Sequence, residues 1–192
     1  MAALSPTGAP VEIQGLKPQS LQGDKACVEL FQRFGLDISW QGENLVARNL
    51  HAGEPFGGLS GFEIDASQIP DMVPALVVCG AFSQGETRIV NAQRLRLKES
   101  DRLAAMSDAI NGLGGKAETT PDGMVIWGQP QVKGGLVQGK NDHRVVMALA
   151  AAAFRCQEPL VVTDAQSIRK SYPGFFQDFT KLGGIAHVLD LG

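Results

Sequence analysis

The chain has 192 residues, enough for one large domain with a sizeable core, and no apolar run reaches the roughly eighteen residues that span a bilayer. Lysine and arginine number 17 and aspartate and glutamate 20, so the net charge of −3 excludes a general attraction to nucleic acid or to an anionic membrane. The cysteines Cys27, Cys79 and Cys156 are too far apart for a disulfide framework or a zinc site, which favours reduced thiols in a cytoplasmic protein.

The first predicted elements are a strand, a helix and a hairpin. A short alternating run predicts a strand at Val11–Ile13, and apolar residues at helical spacing predict a helix over residues 21–34 that is capped near Asp24. Residues 36–40 and 44–47 then predict the two strands of a hairpin.

The same order returns after a very apolar segment. Residues 72–82 predict a buried helix with Asp71 as its N-cap. Residues 87–90 predict a strand, and residues 101–113 predict a helix that Ser100 or Asp101 can cap. A hairpin follows, with strands at Lys116–Thr119 and Met124–Trp127.

A third copy is partial. Residues 145–154 predict another buried helix, Leu160–Val162 a strand, residues 173–182 a helix capped by Ser171, and residues 185–189 a closing strand. Together the elements predict one α/β domain of three βαβαββ-type repeats, with the first repeat truncated.

Charged residues recur at the starts of four predicted helices. A cation at a helix start interacts unfavourably with the helix dipole. Several cations there indicate an anionic ligand such as a phosphate or carboxylate, which the exposed N–H groups of the first turn also favour. Each residue alone has a plainer interpretation, as a helix cap or a solvated surface pair, but the recurrence favours a shared ligand. The residues concerned are Asp71, Lys98, Glu99, Arg102, His143, Arg144 and Lys170.

Four motifs carry a resemblance: Ile69-Pro70-Asp71, Lys98-Glu99-Ser100-Asp101-Arg102, Asn141-Asp142-His143-Arg144 and Lys170-Ser171-Tyr172-Pro173. In order and spacing they closely resemble the carboxyl-terminal domain of the 5-enolpyruvylshikimate-3-phosphate synthase family. The resemblance implies the inside-out α/β barrel of enolpyruvyl transferases, in which two such domains enclose the active site. Residues 1–192 then correspond to the carboxyl-terminal domain, and the amino-terminal domain, a partner that catalysis needs, is absent from this chain.

The resemblance also implies a reaction of the shikimate pathway towards chorismate and the aromatic amino acids. The enolpyruvyl group of phosphoenolpyruvate is transferred to the 5-hydroxyl of shikimate 3-phosphate, phosphate is released, and no metal or organic cofactor takes part. Asp71 and Lys98 correspond to residues at the shikimate hydroxyl, and Glu99 to a candidate acid; the sequence leaves open which carboxylate is acid and which is base. The phosphoenolpyruvate-binding positions are Arg102, Arg144 and Lys170.

Two residues and two alternative functions stay open. His143 either orients a ligand or packs for structure, and Arg94 stands where some members carry an amide that contacts the shikimate phosphate. The alternatives are a UDP-N-acetylglucosamine enolpyruvyl transferase, which lacks the second and third motifs, and a non-catalytic phosphate-binding or scaffold domain. As an isolated domain, the chain is expected to fold without useful turnover.

Overall fold

A computed structural model describes residues 1–189 of the chain. The helices in this part of the chain are α1 (Cys27–Phe34), α2 (Val73–Ala81), α3 (Arg102–Gly112), α4 (His143–Ala152) and α5 (Phe175–Lys181). The strands are β1 (Val11–Ile13), β2 (Asp37–Gln41), β3 (Asn44–Arg48), β4 (Glu63–Asp65), β5 (Glu86–Val90), β6 (Lys116–Thr119), β7 (Met124–Trp127), β8 (Gly135–Val137) and β9 (Leu160–Val162). None of these helices is long and apolar enough to cross a membrane.

The strands form three sheets that repeat one pattern. The middle sheet has the order β4-β5-β7-β6, with β5 parallel to β4 and antiparallel to β7. The first sheet, β1-β3-β2, repeats the β5-β7-β6 part of the middle sheet. The third sheet, β8-β9, repeats the β4-β5 part of the middle sheet. The predicted α/β architecture with repeated units is therefore confirmed, and the middle unit is a complete βαβαββ repeat.

Helices α2 and α4 lie in the core between the sheets and pack against each other. Every residue of α2 except Ala75 is buried, as its apolar sequence predicts. Gly80 allows the close approach of α2 to β5, because a Cβ at that position would come within 2.7 Å of the Thr87 side chain. The two buried helices thereby hold their N-terminal ends at one face of the domain.

Three predicted helix starts are wrong in detail. Regular helix begins at Cys27 after a 3₁₀ turn at Gly23–Ala26, and Asp24 caps nothing. Asp71 lies within another 3₁₀ turn and makes no capping hydrogen bond to α2, because cationic side chains bind its carboxylate instead. Ser171 does not cap α5, which begins at Phe175 after Gly174.

The predicted closing strand at residues 185–189 is also wrong, since this segment pairs with no strand of the described chain. The sequence patterns in turn gave no signal for β4 and β8. Each has only three residues.

Candidate active site

The charged starts of α3 and α4 meet at one place on the domain. Asp101 caps α3, accepting a hydrogen bond of 3.0 Å from the backbone N–H of Ala104. Asp142 caps α4 in the same way, accepting one of 2.9 Å from the N–H of Arg144. These caps fix where each helix begins, and so place Arg102 on the first turn of α3 beside the first turn of α4.

Arg102 is the centre of the site. Its side chain is only 1% exposed, and its guanidinium donates in three directions at once. The Nε atom donates to Asp142 (2.8 Å), Nη1 to Asp71 (2.8 Å) and Nη2 to Glu99 (2.7 Å). The planar, permanently charged fork suits this task, which a lysine ammonium could not perform with fixed geometry. Arg102 therefore holds Asp71, Glu99 and Asp142 in fixed positions relative to one another.

Asp142 is the functional residue that sequence reasoning missed. It is fully buried, and besides capping α4 it accepts a hydrogen bond of 3.1 Å from the Ser100 hydroxyl and the ion pair from Arg102. One carboxylate thus joins both helix starts. An aspartate directly before an apolar helix was a signal of capping, but nothing in the sequence showed that its second oxygen faces Arg102, forty residues away.

Asp71 forms ion pairs with two further cations of the site, Lys98 and Arg144. Its Oδ1 atom lies 2.8 Å from Arg102 and 3.4 Å from Lys98 Nζ, and its Oδ2 atom lies 2.9 Å from Arg144 Nη2. Lys98, Arg144 and Asp71 are each about one-third exposed, in contrast to Arg102. The cations at the surface of the site can therefore exchange their contact with Asp71 for a ligand more readily than Arg102 can.

The charges at the site set the ionisation of both aspartates. Burial acts to raise the pKa of Asp71, but the Arg102 hydrogen bond and the charges of Arg144, Lys98 and Arg102 outweigh it and lower the pKa. For Asp142, burial again acts to raise the pKa, and the hydrogen bond and charge of Arg102 lower it. Both carboxylates are consequently ionised at neutral pH.

The turn before α4 is unusual and leads to Lys170. Lys140 and Asn141 both have left-handed backbone conformations, with φ of 53° and 51°, which non-glycine residues rarely adopt. This turn exposes the Asn141 carbonyl oxygen, and Lys170 Nζ donates to it over 2.6 Å. Lys170, at the end of the 3₁₀ turn Ala165–Lys170, is thereby tied to the start of α4.

The last two predicted residues are placed differently. His143 is on the first turn of α4, 8% exposed, and its Nδ1 atom has no hydrogen-bond partner among the described residues. Arg94 is exposed on the 3₁₀ turn Gln93–Leu97, and no hydrogen bond or ion pair in residues 1–189 ties its side chain to the cluster. The structure thus brings together Asp71, Lys98, Glu99, Arg102 and Arg144, with Lys170 and His143 at the margin.

Comparison with known proteins gives the family. A family model described as "EPSP synthase (3-phosphoshikimate 1-carboxyvinyltransferase)" matches residues 1–179, which include every residue of the cluster. The chain belongs to the EPSP synthase family. This membership confirms the resemblance carried by the four motifs.

Relatives named 3-phosphoshikimate 1-carboxyvinyltransferase agree with the EPSP synthase match. One from Clostridium novyi is 40% identical over 185 residues, and one from Clostridium perfringens is 42% identical over 178 residues. These alignments cover 96% and 93% of this chain but only 41% of either relative. The chain therefore spans about two-fifths of the length of the curated relatives that it matches.

A solved structure supports the EPSP synthase fold. The structure named EPSP synthase from Acinetobacter baumannii superposes with a TM-score of 0.78 at 25% identity, covering 94% of this chain and 43% of that one. The agreement extends over nearly all of the described elements, so the fold of this chain is that of part of an EPSP synthase.

Proposed function

We propose that this chain forms the carboxyl-terminal domain, residues 1–192, of a 3-phosphoshikimate 1-carboxyvinyltransferase and contributes one side of its active site. The reaction is the transfer of the enolpyruvyl group of phosphoenolpyruvate to the 5-hydroxyl of shikimate 3-phosphate. The other side of the cleft comes from an amino-terminal domain that corresponds to the part of the relatives not matched here. The three cysteines, which form no disulfide in residues 1–189, support a reducing, cytoplasmic setting.

The observation that carries the proposal is the contact set of Arg102. One buried guanidinium fixes two partly exposed carboxylates, Asp71 and Glu99, on the same face as two partly exposed cations, Lys98 and Arg144. A proton acceptor, a proton donor and holders for an anion are the groups that enolpyruvyl transfer requires. A scaffold domain has no need for this combination.

The structure supports separate roles for the two carboxylates. In the addition step, the 5-hydroxyl oxygen bonds to C2 of phosphoenolpyruvate, its proton passes to a base, and C3 receives a proton from an acid. In the second step, the C2–O bond to phosphate breaks and a proton leaves C3. Because its pKa is lowered, Asp71 is ionised and serves as the acceptor at the hydroxyl. Glu99, which contacts only Arg102 among the cations, is the candidate acid.

The cations of the site differ in their exposure to solvent, and we assign their roles accordingly. Lys98 and Arg144 can exchange their contacts with Asp71 for the carboxylate or phosphate of phosphoenolpyruvate, and Lys170 adds a third positive charge. Arg102 is too buried to bind a ligand on an open face, so its contribution to phosphoenolpyruvate binding acts through Asp71 and Glu99. His143 Nδ1 has no partner in residues 1–189 but is itself buried, which favours a structural role for His143 over contact with a ligand.

A chimera tests the proposal. This chain replaces the matching 41% of the Clostridium novyi relative, and phosphate release is measured with both substrates present. We expect turnover that requires both phosphoenolpyruvate and shikimate 3-phosphate. The proposal is contradicted if circular dichroism shows that the chimera is folded and the chimera is inactive under conditions in which the parent relative is active.

Substitutions in the chimera test the assigned roles. Asp71→Asn and Glu99→Gln should each lower kcat by about 100-fold or more with a smaller change in KM, because proton transfer typically contributes 10²–10⁴-fold. Asp37→Asn is the matched control, since Asp37 forms a surface ion pair with Arg48 within the β2–β3 hairpin. A normal kcat for Asp71→Asn removes Asp71 from the proposed mechanism.

A further inference from the structure

The segment that carries Lys98 and Glu99 has no main-chain hydrogen bonds to hold it. It lies between the 3₁₀ turn Gln93–Leu97 and the start of α3, and it begins in an extended conformation, with φ of −86° and ψ of −162° at Lys98. Within residues 1–189, no hydrogen bond involves the main-chain N–H or C=O groups of residues 98–100. The position of this segment therefore depends on side chains that hold its two ends.

Arg96, which precedes the segment, is hydrogen-bonded to the residue that follows it. Its Nη1 atom donates to Asp101 Oδ2 over 3.1 Å, and its Nη2 atom donates to the Thr120 carbonyl oxygen over 2.7 Å. Asp101 is also fixed to α3, because its Oδ1 atom accepts the capping hydrogen bond from Ala104 N. One guanidinium fork thus connects both ends of the segment to the β6–β7 hairpin, a geometry that a single ammonium cannot provide.

The β6–β7 turn is a rigid anchor for Arg96. Within the turn, Thr120 N donates to Gly123 O over 2.9 Å, and the Thr120 hydroxyl donates to Asp122 Oδ1 over 3.1 Å. The turn is also attached to the chain before Arg96, since Ala92 N donates to Asp122 O over 2.6 Å. The Thr120 carbonyl group therefore has a fixed position, and the hydrogen bond from Arg96 ties the segment to it.

Of the two charged side chains that the segment contributes to the site, Glu99 depends more closely on the main-chain position. Lys98 reaches Asp71 through a long flexible stem, which can follow a shift of the main chain. The shorter Glu99 side chain has to meet Arg102, which is buried and held by Asp142. A displacement of the segment by about 1 Å changes where the Glu99 carboxyl group can lie, and a displacement of that size can lower a rate by about 100-fold.

We propose that Arg96 is a positioning residue for enolpyruvyl transfer and acts through Glu99. This role rests on the function proposed above. Arg102 holds the carboxyl group of Glu99, whereas Arg96 holds the main chain from which that side chain extends. The ion pair of Arg96 and Asp101 is about one-third exposed, so it adds little to the free energy of unfolding. Loss of Arg96 should consequently affect the rate far more than the stability.

A double-mutant cycle in the Clostridium novyi chimera tests this role. Arg96→Ala should lower kcat by about tenfold with a smaller change in KM, and by less than about twofold when Glu99→Gln is already present. Arg48→Ala is the matched control, because Arg48 also forms a surface ion pair with an aspartate, and this variant should leave kcat unchanged. A normal kcat for Arg96→Ala overturns the proposal. So does an equal loss with and without Glu99→Gln, because a role in stability alone does not depend on Glu99.

NMR relaxation of the original chain tests the same contacts without an activity assay. We expect the Glu99 and Ser100 amides to have order parameters of about 0.85 in the original chain and below about 0.6 in Arg96→Ala, while the amides of α2 keep theirs. Arg96→Lys should show the same loss, because an ammonium cannot hold both acceptors in fixed geometry, and it replaces Arg96→Ala if that variant does not fold.

The two measurements separate failure of the role of Arg96 from failure of the proposed function. Unchanged order parameters in Arg96→Ala and Arg96→Lys overturn the role of Arg96, even if the unsubstituted chimera is active. An inactive unsubstituted chimera contradicts the proposed function instead, and the catalytic role of Arg96 with it.

Discussion

At the scale of single residues, the buried ion pair of Arg102 and Asp142 is the contact on which the site depends. Both side chains are shielded from solvent, so each needs the other to offset the loss of hydration. The Arg102 fork also reaches Asp71 and Glu99, and these carboxylates keep their positions only while Arg102 keeps its own. Asp142 therefore fixes the positions of Asp71 and Glu99 through Arg102.

We predict that Asp142→Asn destabilises the chain by about 3 kcal/mol, the usual cost of leaving a buried charge without its partner. Asparagine keeps the shape and still caps α4, so the change isolates the negative charge. Urea unfolding measures the difference, and Asp178→Asn, at an exposed ion pair, serves as the control with an expected change of about 0–1 kcal/mol. Equal values for the two variants would show that the Arg102 pair adds no net stability.

The same charge makes stability depend on pH. The folded-state pKa of Asp142 lies below its unfolded value of about 3.9, so its contribution is complete above that value and is lost as pH falls through the folded-state pKa. The original chain should therefore lose more unfolding free energy than Asp142→Asn between about pH 5 and pH 2. Urea titrations across this range test the prediction, which fails if both proteins follow the same curve.

At the scale of elements, the sequence predicted correctly the strand bounds that depend on residues next to each other in the chain. The strands of the β6–β7 hairpin begin and end where turn residues and alternation place them, and β9 does as well. Asp71 was predicted as a cap from its position before α2. In the structure its carboxylate instead forms ion pairs with three cations from other elements. Residues 185–189 have the apolar pattern of a strand, but no strand of residues 1–189 pairs with them, and pairing does not follow from a local pattern.

The helix caps give a test at this scale. Asp101→Ala removes the hydrogen bond to Ala104 N at the start of α3 and should cost about 1 kcal/mol of unfolding free energy. Asp24→Ala is the matched control, because Asp24 also precedes a helix yet makes no capping hydrogen bond. Denaturant unfolding should show a loss for the first variant and nearly none for the second. The reverse order would mean that the α3 cap is not formed in solution.

At the scale of the whole molecule, the repeated units explain how distant motifs meet. Helices α2 and α4 occupy the shared core, and their N-terminal ends lie at the same face as the start of α3. The residues before α2, α3 and α4 are thereby brought into one cluster from positions 71, 98–102 and 142–144. The recurring charges predicted most members of this cluster but not Asp142, and the fold alone determined which charge pairs with which.

The balance of charge in the cluster predicts how the chain behaves by itself. Lys98, Arg102 and Arg144 are matched by Asp71, Glu99 and Asp142, so an incoming phosphoenolpyruvate finds no excess of positive charge except that of Lys170. On the proposed function, substrate binding then requires further cations from outside this cluster. We predict that the isolated chain binds phosphoenolpyruvate with a Kd above about 1 mM, an affinity of only about 4 kcal/mol.

For the same reason, the isolated chain should show no enolpyruvyl transfer. A phosphate-release assay with both substrates measures turnover, and NMR titration of the amides of residues 98–102 and 142–144 measures binding under the same conditions. The chimera with the Clostridium novyi relative is the positive control, because it joins this chain to the part of that relative that the alignment leaves unmatched. Turnover by the chain alone would show that these residues suffice for the reaction, and that the balanced charges of the cluster rearrange without help from a second domain.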